Sequence, residues 1–184
     1  MNIYTLLAIL YLARLKSEIG QHLEAEEMIR EGLLVAERNV GKDHIAVLLA
    51  RTIYATVLTK LGRFAKAESI FYMLIDKSRY SLIVDEGQDH PDRLANMWLL
   101  AECFERQGQK ENALRMYEEF LGSLAEIGGE GLGMRHRILA RAQKKIATLK
   151  GVVDGTKCEA ELRESDQPGH DRLRGKAATW PRDI

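Results

Sequence analysis

Histidines, cysteines and clustered carboxylates are the side chains of this sequence that could do chemistry, and their spacing limits what that chemistry could be. His44, His90 and His136 recur at intervals of 46 residues, each at the start of a helical pattern. Packed helices lie roughly 10 Å apart, whereas zinc needs its ligand nitrogens at about 2 Å. We therefore interpret the histidines as turn residues and predict no metal site.

Nucleophiles and phosphate loops are the next chemistry to consider. Cys103 lies beside Phe104 in a helical pattern with no histidine at a partnering spacing, which indicates a buried thiol rather than a nucleophile. The run GGEGLG, from Gly128 to Gly133, follows a helix instead of a strand, so we interpret it as a flexible connection. No phosphate-loop, nucleophile-elbow, zinc-protease or CxxC string is present. The sequence predicts no enzyme and no cofactor.

Charged residues recur on helix faces instead of converging on a pocket. The acidic groups predict solvated outer faces of helices, since no opposed carboxylate is implied; they are Glu24, Glu26, Glu27, Glu118 and Glu119. A basic stripe could contact an acidic partner segment or form the polar outer face of a cap, which repeat arrays need for solubility; it consists of Arg137, Arg141, Lys144 and Lys145.

The composition limits which cellular compartment and which classes of partner are expected for this chain. The 184 residues contain 27 basic and 27 acidic side chains, a balance that favours neither nucleic acid nor an anionic membrane as a partner. The apolar run from Ile3 to Leu12 is about half the roughly 20 residues that a membrane helix needs. Two cysteines and no signal peptide suit a reducing compartment. We expect a cytoplasmic protein.

An internal repeat is the strongest pattern in the chain. Three segments align without gaps, GQHLEAEEM, GRFAKAESI and GQKENALRM, which begin at Gly20, Gly62 and Gly108. An independent alignment starts from the three histidines and places an alanine after Tyr54, Leu100 and Ile146. Agreement between the two alignments predicts a repeated structural unit.

Each unit is helical on both sides of its glycine. Apolar residues recur at three- and four-residue steps before and after Gly108, which predicts a helix hairpin. The glycine fits the position after a helix end, and Ala113 marks the closest approach of the two helices. Phe104 and Phe120 should fill the interior. Asp43 and Asp89 are candidate N-caps of the next first helices, and Pro91 fits an opening turn.

The strings LAECFERQG and ENALRMYEEFL resemble a tetratricopeptide repeat, and GQDHP resembles the longer form in kinesin light chains. The resemblance spans residues 6 to about 150 and implies an all-α superhelix of antiparallel helix pairs with about three and a half repeats. Residues 1–150 would form this domain. Residues 151–184 change composition and are predicted to be a disordered polar tail, or to hold a short helix near Cys158 to Arg163.

The first unit departs from the others. Lys16 and Gly32 replace large apolar residues, so the first hairpin should pack less well or pack against something else. The helix from Leu6 is apolar on more than one face, which predicts that an upstream repeat or a second copy covers it. Kinesin light chains often carry two asparagines where this chain has Thr52 with Ile53, and Trp98 with Leu99. That family's peptide preference therefore does not transfer.

The resemblance implies that first helices line a concave groove. The candidate groove residues are Leu10, Arg14, Leu49, Thr52, Thr56, Lys60, Trp98, Glu102, Arg106, Arg141 and Lys144. The wider exposed set of the same register includes Ser17 and Thr59. Trp98 is either an exposed anchor of an interface or an ordinary core residue.

Two functions follow from this architecture. The first is a non-enzymatic scaffold whose groove binds a peptide or protein partner. The alternative is a C-terminal sensing or autoinhibitory fragment of a larger nucleotide-binding sensor protein, because such proteins in fungi and bacteria carry arrays of the same long form.

Overall fold

The regular elements of the protein are helices throughout the part that the structure describes. A computed structural model describes residues 3–79, 91–126 and 132–165, and no strand occurs within these ranges. The helices are α1 (Ile3–Glu18), α2 (His22–Val40), α3 (Ile45–Lys60), α4 (Phe64–Arg79), α5 (Pro91–Gln107), α6 (Lys110–Glu126) and α7 (Leu132–Ser165). Among these described helices, none has the combination of length and apolarity needed to cross a membrane.

The helices pack as pairs in chain order. α1 packs on α2, α3 on α4 and α5 on α6, and each second helix also packs on the first helix of the following pair. The first helices α1, α3 and α5 contact one another along one side. α7 packs on α6 as the first helix of a further unit. The predicted all-α superhelix of helix pairs, with three and a half units in the described residues, is confirmed.

A glycine ends the first helix of each pair, as the sequence predicts. Gly20, Gly62 and Gly108 have φ values of 91°, 74° and 83°, where a side chain would be strained. The residue after each glycine donates its backbone N–H to a carbonyl five residues earlier, for example Gln109 to Phe104 at 2.9 Å. This hydrogen bond satisfies a free carbonyl at the helix end and turns the chain back sharply.

The interior of each pair is built from matching positions. Ala25, Ala67 and Ala113 are all fully buried, which places the smallest side chain where the two helices approach. One turn later, Ile29, Phe71 and Tyr117 are also fully buried. Phe104 and Phe120 each expose only 4% of their surface, which confirms them as interior residues.

The first pair compensates for its two unusual residues. A side chain added at Gly32 would meet Leu6 at 3.4 Å and Ile9 at 3.5 Å, so these two residues occupy the space that larger residues fill elsewhere. The Lys16 ammonium donates to Glu24 at 2.7 Å and to Gln21 at 3.2 Å. Neighbouring side chains therefore fill the space at Gly32, so the predicted looser packing within this pair is wrong.

The N-caps differ from those predicted. The N-cap of α3 is His44, whose Nδ1 accepts a hydrogen bond from the Ala46 amide at 3.1 Å. Asp43 instead pairs with Lys77, so its carboxylate links the connection between α2 and α3 to α4. Pro91 begins α5 as predicted. His136 lies inside α7, four residues after its start, and is not a turn residue. Asp89 and His90 lie outside the described residues.

The last helix continues beyond position 150. Ala142, Ile146, Leu149 and Val153 of α7 are all buried, so its apolar stripe crosses the proposed boundary without interruption. Gly151 and Gly155 lie within the helix, because an internal glycine costs only about 1 kcal/mol relative to alanine. The stretch from Cys158 to Arg163, predicted as a short helix, is the end of this long one. Residues 166–184 lie outside the described residues.

Candidate functional site

A cavity lies between α1 and α3 on the side that the first helices share. Its volume is about 300 Å³, and two of its walls come from successive first helices, with Leu99 of α5 closing one end. The lining residues are Leu7, Leu10, Tyr11, Arg14, Ser17, Glu18, Leu49, Thr52, Ile53, Thr56, Val57, Lys60 and Leu99. We call this space the α1–α3 cavity.

Six of the candidate groove residues line this one cavity, namely Leu10, Arg14, Leu49, Thr52, Thr56 and Lys60. Their accessibility is unequal. Leu10 exposes only 1% of its surface and forms the floor, whereas Leu49 exposes 44% and forms the rim. Ser17 and Thr59 are buried, contrary to the prediction of exposure, because each hydroxyl bonds inside the array, to His22 and to the Ala55 carbonyl.

The cavity also contains residues that were not among the candidates. Tyr11, Ile53 and Leu99 occupy the same register position of α1, α3 and α5. Each is large, apolar and directly after a candidate groove residue. That recurrence is a signal in the sequence that could have found them.

The threonines in the middle of the cavity direct their hydroxyls to backbone and to one buried amide. Thr56 donates to the Thr52 carbonyl at 2.9 Å. Thr52 lies 3.3 Å from the Leu48 carbonyl and 3.0 Å from the Asn96 side-chain oxygen. Asn96 is itself buried and donates to the Asp92 carbonyl at 2.8 Å, so α3 and α5 share a polar contact at the edge of the α1–α3 cavity.

The cavity is apolar toward the start of the two helices and basic toward their ends. Arg14 pairs with Glu18 at 3.3 Å, with both side chains exposed. The Lys60 ammonium lies 3.5 Å from the Ser17 carbonyl, and no carboxylate of the described residues lies within ion-pair distance of it. Lys60 therefore adds a positive charge to an end of the cavity that the Arg14–Glu18 pair also lines.

Trp98 is part core and part surface. Its ring meets Tyr117 and Phe120 edge to face, with centroids 5.1 Å and 5.4 Å apart. Its indole N–H donates to Glu102 at 2.9 Å, and the Arg141 guanidinium lies 4.9 Å above the ring. The side chain remains half-buried. Neither interpretation from the sequence describes it alone, because one edge of the ring packs while the other faces a cavity.

That second cavity lies between α5, α6 and α7 and has a volume of about 370 Å³. Its walls are mostly apolar, and its lining residues are Pro91, Leu94, Ala95, Trp98, Phe120, Leu124, Ile138 and Arg141. Of the candidate groove residues, Trp98 and Arg141 line it. The two cavities share no lining residue, so they are two separate concave spaces.

The remaining candidate residues form a charged strip between α5 and α7. Glu102 lies 3.5 Å from Arg141, and Glu105 pairs with Lys145 at 2.5 Å. Arg106 is exposed beside Lys60 at a small space of about 60 Å³. Lys144 is exposed on α7, but Lys145 makes the ion pair with α5. Two residues of the basic stripe, Arg141 and Lys145, thus contact α5, whereas Arg137 and Lys144 are exposed.

Cys103 is fully buried with a free thiol. Burial raises the pKa of the Cys103 thiol and the negative charge of Glu68 adds to the increase, although a hydrogen bond with Thr59 acts in the opposite direction. A neutral, buried thiol has neither the charge nor the access that a nucleophile requires. Burial likewise raises the pKa of the Tyr117 hydroxyl. Within the described ranges, no three histidine, cysteine or carboxylate side chains group as metal ligands would.

Comparison with protein families identifies the repeat unit. A family model described as "Tetratricopeptide repeat" matches residues 4–79, and a second model of the same description matches residues 95–123. The first match covers both complete pairs from α1 to α4, and the second covers most of α5 and α6. Among curated proteins, no significant match to the chain is found.

Solved structures share the fold at low sequence identity. The nearly identical TPR-like repeats assigned to a kinesin light chain of Podosopora anserina match with a TM-score of 0.63 and 19% identity, over 91% of this chain and 79% of that one. A single-substitution variant of that protein gives 0.62 and 20% over the same shares. BtubC (BKLC) from P. vanneervenii matches with 0.56 and 15%, over 94% of this chain and 68% of that one.

Proposed function

We propose, because the chain is a tetratricopeptide repeat protein, that it is a non-enzymatic interaction module whose α1–α3 cavity binds a peptide segment of a partner protein. Tetratricopeptide repeats generally mediate protein–protein interaction and form scaffolds that are typically non-catalytic. The observation that carries the proposal is the cavity itself, since its volume of about 300 Å³ reaches the lower end of ligand pockets, roughly 300 to 1,000 Å³.

The lining of the cavity selects the chemistry of the peptide. Leu7, Tyr11, Leu49 and Ile53 surround one end, so an aliphatic or aromatic side chain would be buried there. Lys60 lies at the other end, beside the Arg14–Glu18 pair, where an acidic side chain would meet its positive charge. The expected ligand is a short segment with one apolar anchor followed or preceded by an acidic residue, with the anchor supplying affinity and the charge fixing the register.

A second candidate function is that of a repeat region in a larger nucleotide-binding sensor. The observation in its favour is the exposed apolar side of α1, which fits an array that continues past this pair. A reading frame upstream that encodes further repeats and a nucleotide-binding domain would support it. If the present chain captures a partner protein without a nucleotide-binding domain, that result would favour the peptide-binding interaction module.

The test is selection from a displayed library of random peptides on the intact protein. Thr56→Trp fills the cavity from its centre, and Ser69→Trp places the same side chain on the exposed side of α4 as the matched control. Peptides selected on the wild type should bind Thr56→Trp at least about tenfold more weakly, a loss of about 1.4 kcal/mol, and bind Ser69→Trp unchanged.

Two results would contradict the proposal. One is a selection that enriches no apolar and acidic sequence pattern. The other is a set of enriched peptides that bind Thr56→Trp and the wild type equally well. Circular dichroism of both variants checks that the added indole has not unfolded the array.

A further inference from the structure

One face of the first helix is buried in the same way in three of the four units. In α7 the face consists of Ala142, Ile146, Leu149 and Val153, and it is buried on α6, the described helix on which α7 packs. Residue spacings of 46 and then 46 again transfer these positions to α5 and α3. The equivalent residues of α5 and α3 are buried along most of the face, and only those at the C-terminal ends of the two helices, Gln107 and Leu61, are partly exposed. The buried ones are Asn96, Leu100, Cys103, Ala50, Tyr54 and Val57.

The same positions of α1 are uncovered. They are Ala8, Leu12, Leu15 and Ile19, which we call the α1 seam. Leu12, Leu15 and Ile19 expose 49%, 59% and 74% of their surface, and Ala8 is exposed as well. Tyr4, one turn before Ala8, extends the exposed apolar area. A contiguous apolar face of this kind marks an interaction site.

The three buried faces indicate which kind of surface is complementary to the α1 seam. Each lies against the second helix of the preceding pair, α2 on α3, α4 on α5 and α6 on α7. The α1 seam has the same order as the face of α3, a small residue followed by three large ones at steps of four, three and four: Ala50, Tyr54, Val57 and Leu61. The complementary surface is therefore a helix like α2, antiparallel to α1.

A second copy of this chain does not offer that surface in a head-to-tail arrangement. Its free end in the described residues is α7, which is a first helix. The positions of α7 that would face a second helix of its own are Gln143, Ala147 and Lys150, and all three are exposed and mainly polar. A polar face of this kind closes a repeat array instead of extending it.

We propose that the α1 seam binds an amphipathic helix of the α2 type, packed antiparallel to α1 as the second helix of a further tetratricopeptide pair. This inference goes beyond the peptide-binding function and does not depend on it, since the seam and the α1–α3 cavity lie on different sides of α1. The helix covers Leu12, Leu15 and Ile19 as α2 covers α3.

The test supplies such a helix from the chain itself. A copy of residues 22–44 is fused directly before Ile3, so that Ile3 follows the copy as Ile45 follows His44. Leu15→Cys, in a background of Cys103→Ala and Cys158→Ser, then provides a thiol whose rate of modification shows whether the added helix covers the seam. The added helix should slow modification of this thiol about tenfold or more and raise Tm by about 5 °C.

The matched control carries the same fusion with Leu12→Glu and Ile19→Glu, which should abolish both effects because two carboxylates cannot be buried unpaired. Unchanged thiol reactivity in the fused wild-type seam would overturn the proposal. So would sedimentation of the unfused chain as a dimer that Leu15→Glu converts to monomer, because a second copy would then be the occupant.

Discussion

α1 and α5 hold the same place in their helix pairs and carry apolar residues at the same register, but their surroundings differ. α5 packs on α4, α6 and α3, whereas α1 packs on two of the described helices, α2 and α3. As a result Leu100 of α5 is fully buried, and its counterpart Leu12 is about half exposed. The sequence pattern of a repeat therefore specifies which face of a helix is apolar, and the presence of a neighbouring helix determines whether that face is buried or exposed.

The largest expected difference between the two helices is in thiol reactivity. Cys103 of α5 and Leu15 of α1 share one register position, so Leu15→Cys moves the thiol from a buried to an exposed place. With Cys158→Ser in both proteins and Cys103→Ala in the second, dithionitrobenzoate should modify the α1 thiol on the order of 10³-fold faster. This ratio equals about 4 kcal/mol of local opening in α5. Equal rates would mean that α5 is no better covered than α1.

The same thiol gives the comparison a pH dependence. Because the pKa of Cys103 is raised in the folded chain, the unfolded chain loses this proton first. The contribution of the neutral thiol to stability is complete below the unfolded pKa, about 8.5, and is lost as pH rises above it. The free energy of unfolding should therefore fall more steeply above this pH in the Cys158→Ser protein than after Cys103→Ala is added.

Truncation of the paired leucines should give the next largest contrast. Leu100→Ala removes a fully buried side chain and leaves a cavity, so it should lower the free energy of unfolding by about 3 kcal/mol. Leu12→Ala at the same register should cost less than about 1 kcal/mol, since half of that side chain already meets water. Urea unfolding followed by circular dichroism measures both. Similar losses in the two variants would show that the α1 seam is covered in solution.

Trp98 of α5 is half-buried, so its truncation should cost less stability than that of Leu100 and more than that of Leu12. Trp98→Ala should lower the free energy of unfolding by about 2 kcal/mol, because the ring loses its contacts with Tyr117 and Phe120. Trp98→Phe keeps an aromatic ring and should lose about 1 kcal/mol, mostly the hydrogen bond to Glu102. Urea unfolding distinguishes the two. No loss in Trp98→Ala would return this residue to the role of a purely exposed anchor.

Features that depend on one repeat unit could be predicted from the sequence. The glycine turns, the buried alanines and the helix pairs all follow from short-range patterns that lie within a single unit. The same holds for the position of Leu49, Thr52, Thr56 and Lys60 on one side of α3, because the period of the repeat fixes their register. Burial of Leu10 was missed because the prediction assigned a whole helix face to solvent without the packing of α3.

Features that depend on contacts between residues far apart in the sequence could not be predicted in this way. Asp43 is a good N-cap by type, but a lysine of α4 takes its carboxylate, and His44 caps the helix instead. Trp98 has a mixed role because Arg141 of α7 lies over its ring, which no local pattern reveals. The extent of α7 was underestimated because its internal glycines resemble breakers, while the apolar stripe that continues to Val153 holds the helix on α6.

The hydroxyls of α3 limit the polarity of any ligand that enters the α1–α3 cavity. Thr52 and Thr56 each have a single hydroxyl hydrogen, and the structure directs both hydrogens into the protein. Only oxygen lone pairs are left to face the cavity. A bound peptide would therefore present N–H groups to these two threonines, while its carbonyl oxygens would find donors elsewhere in the lining, such as Lys60 and Arg14.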